Sequence, residues 1–309
     1  MIPKISVIVP VYNDAQRIGK CIESLLQQTY PHEKYEVIII DNGSTDETRE
    51  VIKKYPVKLL IEDKIQSSYA ARNKGIKNAN NGIIAFTDSD CIVTPQWVRE
   101  GVKAFVSESA DLVGGKVEFV YSKHKTAAEL YDSITNIQTE STIKDMNAAT
   151  TANLFVKSSL FERIGLFPDS VKSGGDIRWT SEATRTGFRL VYAPNAIVKH
   201  PTRRLKELLK KNYRVGAGII ELYINMRKPL SKRIFLILRL FLPQRLSYIR
   251  MIVNLRGAKD FNKKLLSMWC VAYLCNISKV FGILSSLSNL LGWRNKIQSN
   301  RLQKMPLKR

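Results

Sequence analysis

Short runs of apolar, β-branched residues alternate with longer segments of helical period through the first ninety positions. Ile5-Ser6-Val7-Ile8-Val9, closed by Pro10, predicts a strand buried on both faces. Asn13-Asp14 predicts a helix start, with Ile18, Ile22, Leu25 and Leu26 on one face through about Gln28. Tyr35 to Ile40, Val57 to Ile61 and residues 82 to 86 predict three more strands, with a helix from Ser67 to Ala79 between the last two. Strand and helix recurring at roughly 30-residue spacing imply right-handed βαβ units, and hence a parallel sheet with its ligand crevice at the carboxyl ends of the strands.

Further along, Asp111 to Phe119 predicts a strand whose Gly114-Gly115 would let backbone approach a ligand. Residues 125 to 140 predict one helix, and Asn147 to Val156 a strand lining a pocket. Gly174-Gly175 predicts a turn feeding a helix that ends at Gly187. Arg189 to Tyr192 and Ala196 to His200 read as two short strands.

Charge changes this picture in one region only. Residues 1 to 200 carry 25 Lys and Arg against 24 acids, whereas residues 201 to 309 carry 24 Lys and Arg against Glu207, Glu221 and Asp260. All but one unit of the net charge of +22 thus belongs to the C-terminal third, and it implies an anionic partner surface, lipid headgroups or nucleic acid. No nucleic-acid-binding motif accompanies it, which argues against the second. Within Ser231 to Leu242, cations are interleaved with Leu, Ile and Phe. Leu265 to Trp293 carries only Lys279 as a charge, leaving two uncharged runs of 14 residues. Each run is short of the roughly 20 residues of a spanning helix. Helices lying in the membrane interface are therefore expected, ahead of a single span or a soluble helical subdomain. The basic charge points to the cytoplasmic face of the membrane. The expected division is 1–200 and 201–309. Cys21, Cys91, Cys270 and Cys275 lack metal or disulfide spacing and read as small apolar groups.

Candidate chemistry sits at the strand ends. Ile83 to Phe86 runs into Thr87-Asp88-Ser89-Asp90, and the two-residue period of a strand sends Asp88 and Asp90 to the same side. Two carboxylates so placed read either as an acidic turn or as a site for a hard divalent cation carrying phosphate oxygens. Pro10 to Asn13, Asp41-Asn42 and Arg72-Asn73 would converge on the same crevice. Asp176 reads as a helix cap or a catalytic carboxylate, and His200 as a packed polar residue or a third metal ligand beside Asp90. No Gly-x-Gly-x-x-Gly and no P-loop is present, which excludes the usual dinucleotide and P-loop readings.

These motifs, in this order over residues 4 to 200, resemble the inverting glycosyltransferases of family 2, which share the GT-A fold. The stretches that carry the likeness are Val9-Pro10-Val11-Tyr12-Asn13, Asp41 to Asp46, Ala70 to Ile76, Asp88-Ser89-Asp90 and Gly175-Asp176. The resemblance implies a GT-A nucleotide-diphospho-sugar transferase fold with a basic helical C-terminal extension, its nucleotide half at about 1–110 and its acceptor half at 111–200. It implies that Pro10, Tyr12 and Asp41 hold the base, with Arg72 near base and diphosphate and Asp88 on the ribose side. Asp90, with His200, would hold Mg2+ or Mn2+, and Asp176 would act as general base.

The chain departs from the family pattern in two places. Gly175 stands where the family has Glu, and Glu182 stands where many members have Arg. The implied reaction is inverting transfer of a sugar from a nucleotide-diphospho-sugar, by family habit a UDP-sugar, to a glycan or lipid-linked acceptor in cell-surface polysaccharide synthesis. A processive mechanism is not expected, because Gln-x-x-Arg-Trp is missing. Two other readings compete. A sugar-nucleotide pyrophosphorylase would need a glycine-rich basic loop after the first strand. A catalytically degenerate scaffold would bind lipid or nucleic acid through the basic tail.

Overall fold

The structure, a computed structural model, describes residues 2–171, 173–225 and 238–303. The expectation for Ser231 to Leu242 falls mostly outside them. The described chain divides into two compact units, residues 1–124 with 135–202 and residues 125–134 with 203–309.

The first unit is built on one eight-stranded sheet. Its strands are β1 (Ile5–Val11), β2 (Tyr35–Asp41), β3 (Lys58–Ile61), β4 (Ile83–Thr87), β5 (Ile92–Val93), β6 (Leu112–Val120), β7 (Asn153–Lys157) and β8 (Leu190–Pro201), in the order β3-β2-β1-β4-β7-β6-β8-β5. The first four pair in parallel as the alternation predicts. From β7 onward the sheet is mixed, since β7 runs antiparallel to both β4 and β6 while β6 and β8 are parallel.

Residues of β1 and β2 alternate between two cores. Val7, Val9 and Ile39 pack with Ile18, Ile22 and Leu25 of α1 (Ile18–Leu26). Ile8, Ile38 and Ile40 pack with Tyr69 and Ala71 of α3 (Ser68–Lys77). Both faces are thus covered, and each fully buried aliphatic side chain contributes about 1.5–3 kcal/mol over exposure. The polar C-terminal ends of β1, β2 and β4 are left at one edge of the sheet, where the loops after them can be used.

Four expectations change on contact with the fold. Residues 125 to 140 break into α5 (Ala127–Thr135) and α6 (Thr139–Met146), because Ile137 between them takes a left-handed φ of 46°. The strand expected from Asn147 begins only at Asn153; the residues before it form a turn entered through left-handed Asn147. The two short strands near 190–200 are one, β8, which passes Pro194-Asn195 through a register shift opposite Gly115/Lys116. Gly114 and Gly115 serve packing rather than a ligand. A Cβ on Gly114 would meet Ile143 at 2.7 Å, and one on Gly115 would meet the Asn153 amide at 2.3 Å and the Ala196 carbonyl at 2.5 Å.

The second unit contains α5, α9 (Leu205–Asn225), α10 (Leu246–Leu255) and α11 (Leu265–Gln303). The two apolar runs flanking Lys279 are one continuous helix. With the turn residues that lead into it, the stretch Asp260–Leu287 contains an 18-residue window of mean hydropathy 1.5, long and apolar enough to cross a membrane by length and composition. Close approach of α9 and α11 needs Gly216 and Gly282, where a Cβ would lie 2.0 Å from the carbonyls of Lys279 and Tyr213.

Candidate active site

The loop leaving β1 is stitched to the loop leaving β2. Asn13 adopts a left-handed φ of 49°; its backbone N–H donates to Ser44 Oγ at 2.9 Å, and its side-chain oxygen accepts from Thr45 N–H at 2.8 Å. Asp14 N–H donates to Thr48 Oγ1 at 2.8 Å, so Asp14 serves this clasp and does not cap α1, which starts at Ile18. The clasp fixes exposed Tyr12 and buried Pro10 beside the end of β2, where Val11 pairs with Asp41.

Asp41 is fully buried. Its Oδ2 accepts from Ser44 N–H at 3.2 Å and from Arg49 Nε at 2.7 Å, while Oδ1 has no protein partner. A buried carboxylate oxygen left unpaired costs roughly 1–3 kcal/mol. Such an atom fits an N–H donor brought by a ligand, as an imide or amide edge of a nucleobase would.

Arg72 projects from α3, which Ser67 caps through Tyr69 N–H. The guanidinium is buried, pairs with Asp88 Oδ1 at 2.5 Å and lies 5.7 Å from the Tyr69 ring centroid. Its Nε has no protein partner, so a second donor remains for an anionic group. Asp90 follows two residues later in the turn after β4. Pairing of β5 with β8, Ile92 opposite Lys199, brings His200 beside it. His200 is fully buried; its Nδ1–H donates to the Pro201 carbonyl at 2.7 Å, which turns Nε2 toward Asp90 Oδ1 at 3.8 Å.

An imidazole nitrogen and a carboxylate oxygen facing each other at this distance suit either an ion pair or a shared cation. Together with Cys91 Sγ these ligand atoms lie within 4.8 Å of one another. Burial pushes the Cys91 thiol well above its usual range, aided by the charges of Asp90 and Asp88. The donors of the set that remain are a hard carboxylate, which suits Mg2+ or Mn2+, and a borderline imidazole. Arg17, not singled out in the sequence, links Asp14 at 2.6 Å and Asp90 at 3.6 Å, and Asp14 in turn accepts from Ser89 Oγ at 2.6 Å. Burial raises the Asp14 pKa, against the lowering effect of Ser89 and Arg17.

Asp176 lies in the first turn of α8 (Gly175–Arg185) and makes no cap hydrogen bond from the N-cap position, which Gly174 occupies with a left-handed φ of 77°. Its Oδ1 accepts from Tyr69 Oη at 3.1 Å and from Ile177 N–H at 3.0 Å. Its Oδ2 accepts from Thr151 N–H at 3.1 Å and Thr151 Oγ1 at 3.3 Å. The Tyr69 hydroxyl also accepts from Gly175 N–H at 2.9 Å, and burial, with the Asp176 charge, raises its pKa.

The departure at Gly175 has a steric cause, since a Cβ there would lie 2.9 Å from the Tyr69 ring. Glu182 is on the helix surface, paired to Arg185 at 2.7 Å. The contacts Asp88–Arg72–Tyr69–Asp176 form one chain through α3. Tyr69, Thr151 and Arg17 are not legible as site residues because their partners are 25 to 107 positions away, except for the local Arg17–Asp14 pair.

The family model for Glycosyl transferase family 2 matches residues 6–163. A glycosyltransferase from Haloferax volcanii, AglE, is 41% identical over 92% of this chain and 96% of its own length. A dolichyl N-acetyl-glucosaminyl phosphate diacetamido-dideoxy-glucuronosyltransferase from Methanococcus voltae is 27% identical over 69% of this chain and 72% of its own. Among solved structures, the mannosyltransferase PcManGT of Pyrobaculum calidifontis, in complex with GDP-Man and Mn2+, superposes with a TM-score of 0.62 at 18% identity, covering 93% of this chain and 88% of that one. TarS 1-349 of S. aureus, in complex with UDP-GlcNAc, superposes with a TM-score of 0.54 at 19% identity, covering 90% of each chain. The fold is therefore that of the GT-A glycosyltransferases.

Proposed function

The chain belongs to glycosyl transferase family 2, and from that premise we propose that it moves a sugar from a nucleotide-diphospho-sugar, a UDP-sugar first, to a lipid-linked or polysaccharide acceptor with inversion at the anomeric carbon. The observation that carries this reading is the pair of unsatisfied buried atoms, Asp41 Oδ1 at the end of β2 and Arg72 Nε on α3, in a site that also presents Asp88, Asp90 and His200. They ask for a ligand with a hydrogen-bonding ring edge and an anionic group. Where a divalent cation is bound, Asp90 and His200 would hold it and it would offset the charge of the departing diphosphate.

The remaining steps fall to the chain's own residues. Asp41 accepts from the base edge, and Tyr12 and Pro10 flank the base. Arg72 neutralises phosphate charge while keeping Asp88 in place. Asp176, held by four donors, takes the acceptor hydroxyl proton as that oxygen attacks the anomeric carbon from the face opposite the leaving group. One displacement inverts the configuration. Tyr69 stands where a Glu preceding Asp176 would need room, and its hydroxyl orients the Asp176 carboxylate. A lipid-linked acceptor is supported by the Methanococcus voltae relative, whose name describes action on a dolichyl phosphate-linked sugar.

The test is nucleotide release from a panel of UDP-, GDP- and dTDP-sugars in the presence of extracted lipid-linked acceptors, with the product's anomeric configuration read by NMR. Inverted product, with turnover falling at least ~100-fold in Asp176→Asn while nucleotide binding persists, is expected. Retained configuration, or unchanged turnover in Asp176→Asn, would contradict the assignment.

A further inference from the structure

Helix α11 is apolar on both of its faces. Leu265, Met268, Val271, Ala272, Cys275 and Ile283 are buried within the second unit. On the opposite side Leu266, Cys270, Leu274, Ile277, Phe281 and Leu284 follow one another at steps of four or three residues, the spacing of a single helix face. Leu266 is 66% exposed and Phe281 61%, so this face is open rather than core. From 266 to 284 it extends about 27 Å at 1.5 Å per residue. Helix α10 repeats the arrangement on a smaller scale: Ile249 and Val253 are buried, while Tyr248, Met251 and Leu255, at steps of three and four, are exposed, Leu255 by 75%. Open apolar stripes of this size mark a binding surface.

The cations around these stripes decide the occupant. Arg239, Arg245, Arg250 and Arg256 are exposed on and beside α10, and Lys263 and Lys264 just before α11. Asp260 is the single acid in the sequence from 222 to 309. A second copy of the same face would bring cation against cation, so the surface is not self-complementary.

We propose that α10 and α11 form a docking surface for an anionic lipid bilayer, on which the chain lies with these apolar stripes in the interface and the surrounding cations on lipid headgroups. The in-plane placement follows from α9. Ser278 Oγ donates to the Leu209 carbonyl at 2.7 Å and Ser286 Oγ to the Ala217 carbonyl at 3.0 Å, so the polar first half of α9, with Lys206, Glu207, Lys210, Lys211 and Arg214, runs beside α11. A crossing α11 would carry those charges into hydrocarbon. The surface goes beyond the transfer chemistry and does not depend on it.

Flotation of the full chain with vesicles of phosphatidylcholine alone or with 30 mol% phosphatidylglycerol tests this directly, with folding of each variant checked by circular dichroism. Binding to the anionic vesicles at least tenfold tighter than to neutral ones, weakened in 0.5 M salt and released by alkaline carbonate, is expected. Leu274→Asp/Phe281→Asp should abolish it, and Arg245→Glu/Arg250→Glu should remove its salt-sensitive part. No flotation at low salt, or wild-type flotation by both folded variants, would overturn the proposal. So would a dimer in light scattering that Leu274→Asp/Phe281→Asp disrupts without any vesicle binding. Resistance to carbonate would overturn the in-plane placement.

Discussion

At the scale of single residues, Tyr69 is the most informative side chain in the site. It bridges Gly175 N–H and Asp176 Oδ1 through one hydroxyl, and its ring lies against Arg72, which holds Asp88. Tyr69→Phe keeps the ring and removes the bridge. A lost hydrogen bond to a charged group is worth about 1.5–3 kcal/mol, or roughly 10- to 100-fold in rate. Turnover of Tyr69→Phe should therefore fall by about that factor while calorimetric nucleotide affinity stays within about twofold. A purely structural Tyr69 would instead lower thermal stability and leave the turnover of the folded fraction unchanged.

Asp41→Asn tests the other end. The amide can no longer offer two acceptor oxygens to Arg49, Ser44 and a base edge together, so nucleotide affinity should drop about tenfold or more, measured by titration. These side chains also show what one sequence conveys. Asp41, Asp88 and Asp90 are legible because they end apolar strands, and strand ends of parallel sheets meet at one edge. Tyr69 and Thr151 are not legible, since nothing near them in sequence signals that Asp176 is their partner. The glycine at 175 looks like a lost acid until the Tyr69 ring is seen in the space a Cβ would fill.

At the scale of elements, the strands β1 to β4 follow from their β-branched runs, and α3 from the cap at Ser67. The second half of the sheet is not legible locally because its pairings are long-range. Asn153 at the start of β7 is held by the carbonyls of Lys116 and Ala196, each at 2.8 Å, and no local pattern encodes those contacts. β8 read as two strands since Pro194-Asn195 resembles a turn, whereas the ladder absorbs it as a register shift.

In the helical unit, α9 carries Lys211, whose ammonium is pushed from 10.5 down to about 7, chiefly by burial. Arg203, Arg214 and Lys279 act in the same direction and Asp132 opposes them. Below about pH 7 Lys211 is charged in the folded and unfolded chain alike, and folding bears the full cost of burying that charge. Between about 7 and 10.5 the unfolded chain holds the extra proton, so this residue's contribution to stability improves as pH rises. Lys211→Met should raise Tm at pH 6.5, and its advantage over wild type should shrink by pH 10. An advantage that stays constant or grows between those pH values would contradict the assignment.

At the scale of the whole molecule, the chain carries its chemistry and its charge in different units. Residues 1–124 with 135–202 hold the acidic, buried site at the strand ends, while residues 125–134 with 203–309 hold nearly all of the net positive charge and the open apolar helix faces. The composition asymmetry was legible as a whole. The packing of 125–134 with the C-terminal helices was not, because α5 carries no such charge bias.

On the proposed reading, the strand-end crevice binds a nucleoside diphosphate together with a divalent cation. Isothermal titration of the intact chain with UDP, GDP and dTDP, each with and without Mn2+, and repeated on Asp90→Ala, tests it most directly. One nucleotide binding in a Mn2+-dependent manner, with the dependence lost in Asp90→Ala, is the predicted result; no binding of any nucleotide by the well-folded wild type, or metal-dependent binding unchanged in Asp90→Ala, would contradict it.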